Sequence, residues 1–265
     1  MTEQAGADLT LSVADHIATI TLNRPAKLNA MTVAMDARLN EMTYQINADD
    51  DVRVVVLTGA GERAFSAGSD LSDLDGYGTS WQYRNRFDRN LDYVNAIWRI
   101  RKPVIAAICG YCIGGGLEMA CAADIRYATA SASFAAGEIK WGWHGGSGAT
   151  QFLTKLIGAG AALELLLTGD RIDAERAAQV GLTQKTFPAK ADLLDGAFAL
   201  AGTIAGHGPI AVEAVKRLVR VAQSSSFEVG LAYENDLFTY EMASADAAEG
   251  RAAFAEKRRP VFHGR

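Results

Sequence analysis

An α/β fold with a helical C-terminal third is predicted by two features of the sequence. Val52–Leu57 and Val104–Ile108 are short, nearly unbroken apolar runs, each followed by residues at helical spacing. Strands of that kind are buried on both faces, as in a parallel or mixed sheet covered by helices. From Gln151 onward the apolar residues recur at helical spacing almost throughout, with breaks near Gly169–Asp173, Val180–Pro188 and Ala205–Pro209. A chain of 265 residues with 49% hydrophobic and 22% charged residues has enough apolar surface for one large domain, or for a domain with a helical appendage.

In chain order, Leu9–Val13 and His16–Leu22 are β-branched, partly alternating runs split by Asp15, which predicts a hairpin. Asn23-Arg24-Pro25 ends it, Ala26–Ala30 is a loop, and Met31–Asn47 has helical spacing. Asp49–Asp51 turn the chain into the strand at Val52. The following Gly59-Ala-Gly61-Glu-Arg-Ala64 satisfies a loose dinucleotide fingerprint, but Phe65-Ser66-Ala67-Gly68 stands where the helix would have to open, so a surface turn is expected. Trp81–Arg101 predicts a long amphipathic helix with Phe87, Leu91, Val94 and Trp98 on one stripe. Its aromatic residues Trp81, Tyr83, Phe87 and Tyr93 are expected to pack as core, with the lining of a ligand cavity as the alternative. Ile125–Ala128 and Ser133–Phe134 predict short strands, and a glycine-rich segment, residues 137–150, carries Glu138, Trp141, Trp143 and His144.

The stretch Pro103–Asp124 has the strongest chemical content. A buried strand is followed by a turn, three consecutive glycines (Gly114, Gly115, Gly116), and a helix bearing the lone carboxylate Glu118. Glycine lets a ligand approach bare backbone. The helix start offers unpaired N–H groups and a partial positive charge, a place to hold an anionic oxygen. Glu118 lies three residues past Gly115, on the same face of the helix. An oxyanion-stabilising corner and a carboxylate thus share one small space.

Charge and composition narrow the remaining classes. A net charge of −5 gives no electrostatic case for nucleic acid or an acidic membrane surface. Residues 103–123 are apolar, yet the glycines and Glu118 argue against a lipid-facing span, and no membrane insertion is expected. The N-terminus lacks the basic and apolar regions of a secretory signal, and three cysteines make an odd count; both point to a reduced, cytoplasmic setting. Cys109 and Cys112 form a C-x-x-C without a second ligand pair, so they are read as small core residues and no metal is expected.

Four motifs in register, N-R-P-A-K-L-N-A (23–30), A-F-S-A-G-S-D-L (64–71), G-Y-C-I-G-G-G-L-E-M-A-C-A-A-D (110–124) and A-F-A-E-K-R-R-P-V-F (253–262), resemble the enoyl-CoA hydratase/isomerase (crotonase) superfamily. The resemblance implies a spiral of ββα units over residues 1–200 and a helical trimerisation region over 201–265, assembled as a homotrimer or a dimer of trimers. It implies that backbone N–H groups of Ser69 and Gly115 hold a thioester carbonyl, and that Glu118 and Glu138 are the catalytic carboxylates. It places coenzyme A against Lys27, Leu28, Ala30, Ala67 and Leu71, with Phe254 and Lys257 reaching it across a subunit boundary. Coenzyme A is then part of the substrate, and no separate cofactor is needed. Two departures stand out: Gly137 replaces a frequent proline before the second glutamate, and His144-Gly145 stands where an apolar residue and proline are common.

The expected activity is hydration of the 2,3 double bond of an enoyl-CoA. The alternatives are an isomerase or dehydratase of the same family and a non-catalytic CoA-ester-binding subunit. Hydration needs stabilisation of negative charge on the thioester oxygen, a base for water and an acid for Cα. The helix dipole favours ionised Glu118 as the base. Desolvation beside Trp141 and Trp143 would leave Glu138 as the proton donor, although a coupled pair titrates as a unit and the roles could be exchanged. Asp70 is expected to cap a loop or helix rather than catalyse, and His144 to be solvated or packed, with tuning of acyl specificity as its alternative role.

Overall fold

A computed structural model describes residues 7–77 and 92–265. The N-terminal hairpin forms as expected: β1 (Leu9–Ala14) and β2 (Ile17–Leu22) pair antiparallel, and Asp15 and His16 both take positive φ in the turn. The expected loop at Ala26–Ala30 contains a 3-10 turn, Pro25–Lys27, followed by Leu28 and Asn29 in the left-handed region. Helix α1 (Val33–Ala48) starts two residues later than the spacing suggested, because Thr32 caps it by accepting from the Met35 N–H at 3.2 Å.

From there the chain repeats one step. A long strand in one sheet leads to a short strand in a second sheet and then toward a helix. The first step is β3 (Val54–Gly59) and β4 (Ala64–Ser66), followed further along by α2 (Tyr93–Arg99). The second is β5 (Val104–Ile108), β6 (Tyr111–Ile113) and α3 (Gly115–Ala122). The third is β7 (Ile125–Thr129), β8 (Ser133–Ala135), a 3-10 turn at Gly137–Trp141 and α4 (Ala149–Thr168). Two strands inside the nominally helical third, β9 (Ile172–Asp173) and β10 (Lys185–Phe187), join the sheets at the predicted breaks. The large sheet runs β1-β2-β3-β5-β7-β10 and is parallel from β2 onward; the small one runs β4-β6-β8-β9.

Several boundaries differ from expectation. Val52 and Arg53 belong to the turn before β3, where the Arg53 N–H donates to His16 O. Within the expected helix 81–101, the described portion ends at Arg99, and Ile100 turns extended two residues before Lys102-Pro103. Trp81, Tyr83, Phe87 and Leu91 lie outside the described residues; Trp98 packs on Phe152 at 5.3 Å between ring centroids. Strand β6, three residues between glycines, was read as a turn because so short a run shows no period.

Every residue of β3 and β5 is buried, as unbroken apolar strands should be. Val54, Val56, Ile105 and Ala107 face one way, against Leu193, Ala197 and Ala201 of α6 (Lys190–Ala205). Val55, Leu57, Ala106 and Ile108 face the other way, into the core shared with α1, α2 and α3. Residue 200 therefore lies within a helix packed on the sheet. The chain then bends by 110° into α7 (Pro209–Ala222), which is followed by α8 (Phe227–Met242) and α9 (Ala245–Glu256). Helix α5 (Ala174–Gln179) bridges β9 and β10.

Candidate active site

The site grows from the second ββα step. Strand β5 is anchored at its start by Asp124, whose Oδ2 accepts from the Val104 N–H at 2.7 Å. Helix α3 is buried over its whole length. At its C-terminal end, buried Arg126 donates to Ala123 O at 2.7 Å, satisfying a carbonyl the helix leaves unpaired. At its N-terminal end Gly114 has φ 58° and ψ −128°, a conformation costly for any residue with a Cβ. Gly115 then opens the helix, so its N–H has no acceptor within it.

The loop at Ala67–Leu71 lies against this corner. A Cβ on Gly68 would stand 2.7 Å from the Gly115 nitrogen. Around Ser69 the bridge to Met31 uses Gly68 O and the Asp70 N–H, and passes over the Ser69 N–H. Ser69 Oγ lies 2.9 Å from the Tyr93 hydroxyl, and that hydroxyl oxygen occupies the space a Cβ on Gly115 would need. Ser69 and Gly115 are thus brought together across one atom.

Glu118 is 4% exposed. Its Oε1 accepts from the Ser147 N–H at 2.9 Å and the Ala149 N–H at 3.0 Å, leaving Oε2 for chemistry. Burial pushes its carboxyl up to about 7 from an ordinary 4.5; the two N–H groups pull it back, and the nearby Glu138 and Asp92 raise it further. The sequence-based expectation that the dipole keeps Glu118 readily ionised is therefore corrected: desolvation outweighs it.

Glu138 sits on the 3-10 turn Gly137–Trp141, and a Cβ on Gly114 would lie 3.2 Å from its Oε1. Its carboxyl is raised, chiefly by burial, and eased by its own backbone and by His144. The expected desolvation is present, while Trp141 and Trp143 are 68% and 48% exposed. Oε2 of Glu138 is buried without a hydrogen-bond partner among the described residues, an environment that favours the protonated form.

The loop after Glu138 folds back on Glu118. A Cβ at Gly145 would lie 2.8 Å from Glu118 Oε1 and 2.7 Å from the Ala149 Cβ, so the bare backbone there lets Ser147 and Ala149 reach the carboxylate. His144 Nδ1 is 2.8 Å from Gly145 O. Asp70 is a loop cap as expected: it accepts from Ser72 N–H and Oγ and from Arg24 at 3.0 Å, and these bonds hold its carboxyl below the usual range. Arg24 also donates to Ala30 O, and the Ala67 N–H donates to Leu28 O, so the loop that carries Lys27, Leu28 and Ala30 is joined to the one that carries Ala67 and Leu71. Phe254 and Lys257 lie on the last helix and just past it, and Phe254 is 88% exposed. For Tyr93 the sequence leaves core packing and cavity lining both open; it gives no sign of the Ser147 and Ala149 N–H groups, because backbone donors leave no residue signature.

A cavity of about 800 Å³ lies between α4 and α7, away from both glutamates; Trp98, Asp124, Phe152 and Lys216 are among its walls.

Two sheets wound as a ββα spiral, with a glycine corner flanked by the carboxyls of buried Glu118 and half-buried Glu138, define a protein of the crotonase fold. The profile of the Enoyl-CoA hydratase/isomerase family matches residues 12–265, and the chain belongs to that family, whose members act on CoA thioesters. The (E)-benzylidenesuccinyl-CoA hydratase of Thauera aromatica is 36% identical over 256 residues, covering 97% of this chain and 99% of that protein. The 2,3-dehydroadipyl-CoA hydratase of Escherichia coli is 36% identical over 263 residues, covering 98% and 100%. The solved enoyl-CoA hydratase of Bacillus anthracis is 36% identical with a TM-score of 0.91, covering 98% of this chain and 100% of that one.

Proposed function

We propose that the chain is an enoyl-CoA hydratase, adding water reversibly across the 2,3 double bond of an enoyl-CoA thioester. The observation that carries this reading is the pairing of two burial-raised carboxyls, Glu118 and Glu138, at the corner where Ser69 and Gly115 meet. Glu118 Oε2 takes a proton from water as the water oxygen bonds to Cβ. The π electrons move through Cα onto the thioester oxygen, which accepts hydrogen bonds from the Ser69 and Gly115 N–H groups. That enolate collapses as Glu138 delivers its proton to Cα, and proton exchange resets the pair. Each backbone donor contributes roughly 3–4 kcal/mol to stabilising the oxyanion. The relatives named for benzylidenesuccinyl-CoA and dehydroadipyl-CoA support hydration over isomerisation.

The substrate's nucleotide end lies against Lys27, Leu28, Ala30, Ala67 and Leu71, and Phe254 and Lys257 complete the site from a neighbouring subunit of a trimer or paired trimers. Helix α8 supports the assembly: none of its residues is buried, and Phe227, Leu231, Phe238 and Tyr240 are all more than half exposed. The deciding experiment is a panel of short, long, branched and aromatic enoyl-CoAs, followed by loss of the conjugated thioester absorbance. Hydration of at least one member is expected. Tight binding of acyl-CoA with no hydration of any would overturn the reading, and conversion of 3-enoyl to 2-enoyl esters alone would replace it with isomerisation.

A further inference from the structure

Tyr93 is the residue that neither the fold nor the two-glutamate chemistry explains. It opens α2, whose start is capped by Asp92 Oδ1 accepting from the Asn95 N–H at 2.8 Å. Its ring is buried with Val94 and Ile97. A tyrosine serving only as core needs no contact for its hydroxyl beyond satisfaction. This hydroxyl instead stands at the junction of the two backbone donors: 2.9 Å from Ser69 Oγ and in the space over Gly115 where a side chain would begin. Gly115 is therefore required twice, as the opener of α3 and as the floor under the Tyr93 oxygen.

We propose that the Tyr93 hydroxyl is a third donor of the oxyanion hole, aimed by Ser69. The inference rests on the oxyanion-hole part of the hydratase reading. With a thioester bound, the Ser69 Oγ–H donates to the phenolic oxygen and the Tyr93 O–H donates to the thioester oxygen beside the two N–H groups. Ser69 then acts twice, through its backbone on the substrate and through its side chain on Tyr93. A buried O–H aimed at an oxygen that gains charge during reaction strengthens as the enolate forms, so its effect falls on turnover more than on binding. The arrangement also predicts coupling: the two hydroxyls act as one unit, so removing both costs no more than removing Tyr93 alone.

The test uses Tyr93→Phe, which keeps the ring, together with Ser69→Ala, which keeps the backbone N–H. Turnover of the best enoyl-CoA in the panel should fall about 10- to 100-fold in Tyr93→Phe, a smaller loss than deletion of a sole side-chain donor, with KM changed less than threefold. Ser69→Ala should show a smaller loss, and the double variant should match Tyr93→Phe. Infrared difference spectra of the bound enoyl thioester provide the readout a packing role would not move: its carbonyl stretch should shift upward in Tyr93→Phe. An unchanged carbonyl band, or turnover within threefold of wild type, overturns the proposal. The spectroscopic arm needs binding but no hydration. A wild-type protein that polarises the carbonyl without hydrating it would sink the hydratase reading and leave Tyr93's role standing.

Discussion

The segments Gly110–Ala122 and Gly137–Gly148 each bring one carboxyl to the site, and they differ in nearly everything else. In the first, a short strand feeds a helix with no exposed residue, closed at one end by Arg126 and at the other by Gly114. Its glutamate has one oxygen fixed by two N–H groups. In the second, a 3-10 turn runs into a glycine-rich loop, Trp141 and Trp143 face solvent, and the glutamate has a buried oxygen with no partner among the described residues. The first segment fixes where charge is held. The second holds Glu118 through the Ser147 N–H, while its two tryptophans point away into solvent and can change without altering that bond. Chemistry common to the family and selectivity particular to this chain can thus be written on separate stretches.

The comparison is tested most severely by removing each carboxyl in turn. Glu118→Gln should lower kcat by about 10³–10⁴, and Glu138→Gln by about 10²–10³, because the rigid, hydrogen-bonded group has no substitute while the looser one can be partly replaced by water. Equal losses in steady-state assays would erase the distinction.

Next in size is Gly115→Ala. Its Cβ would collide with the Tyr93 oxygen in a fully packed region, so a loss of about 1–3 kcal/mol is expected in chemical unfolding, together with loss of turnover. Wild-type stability in that assay would mean the corner is less rigid than its burial suggests.

The pH dependence sharpens the contrast. The folded Glu118 carboxyl titrates at about 7 against an ordinary 4.5, so between these values the folded protein holds a proton the unfolded chain has released. Its contribution to stability therefore falls as pH rises through that window and levels off above it. Glu118→Gln removes the liability and should be more stable than wild type at pH 8 by on the order of 1–3 kcal/mol, with no such gain at pH 4. Thermal melts at the two pH values read this directly. Activity should move oppositely, rising through about pH 7 as Glu118 ionises.

The smallest effect is expected at Trp143→Ala. Stability should stay within about 0.5 kcal/mol, while the ratio of kcat/KM between short and aromatic enoyl-CoAs shifts. An unaltered ratio would remove the loop from substrate selection.

Much of this was legible in the sequence because the signals were local. The hairpin, strand β5, the glycine corner and Glu118 announce themselves through β-branching, apolar runs and helix-start chemistry. The three-residue strands β4 and β6 do not, since a second sheet built from such short pieces is specified only by its neighbours. Glu118's raised carboxyl is illegible for a related reason: the dipole is a property of its own helix, but burial depends on everything packed around that helix. Tyr93 was hidden by the same nonlocality, as nothing in its own helix distinguishes a ring that packs from a hydroxyl that points at a glycine.

Gly145 carries a consequence for how this sequence can change over generations. A side chain there would meet both the Ala149 Cβ and Glu118 Oε1, so residue 145 cannot gain one without a change nearby. Residues 145 and 149 form a contingent pair, in which the order of substitution decides whether intermediates survive. Gly145→Ala alone should be destabilised, and Ala149→Gly introduced first should recover part of that loss in the double variant.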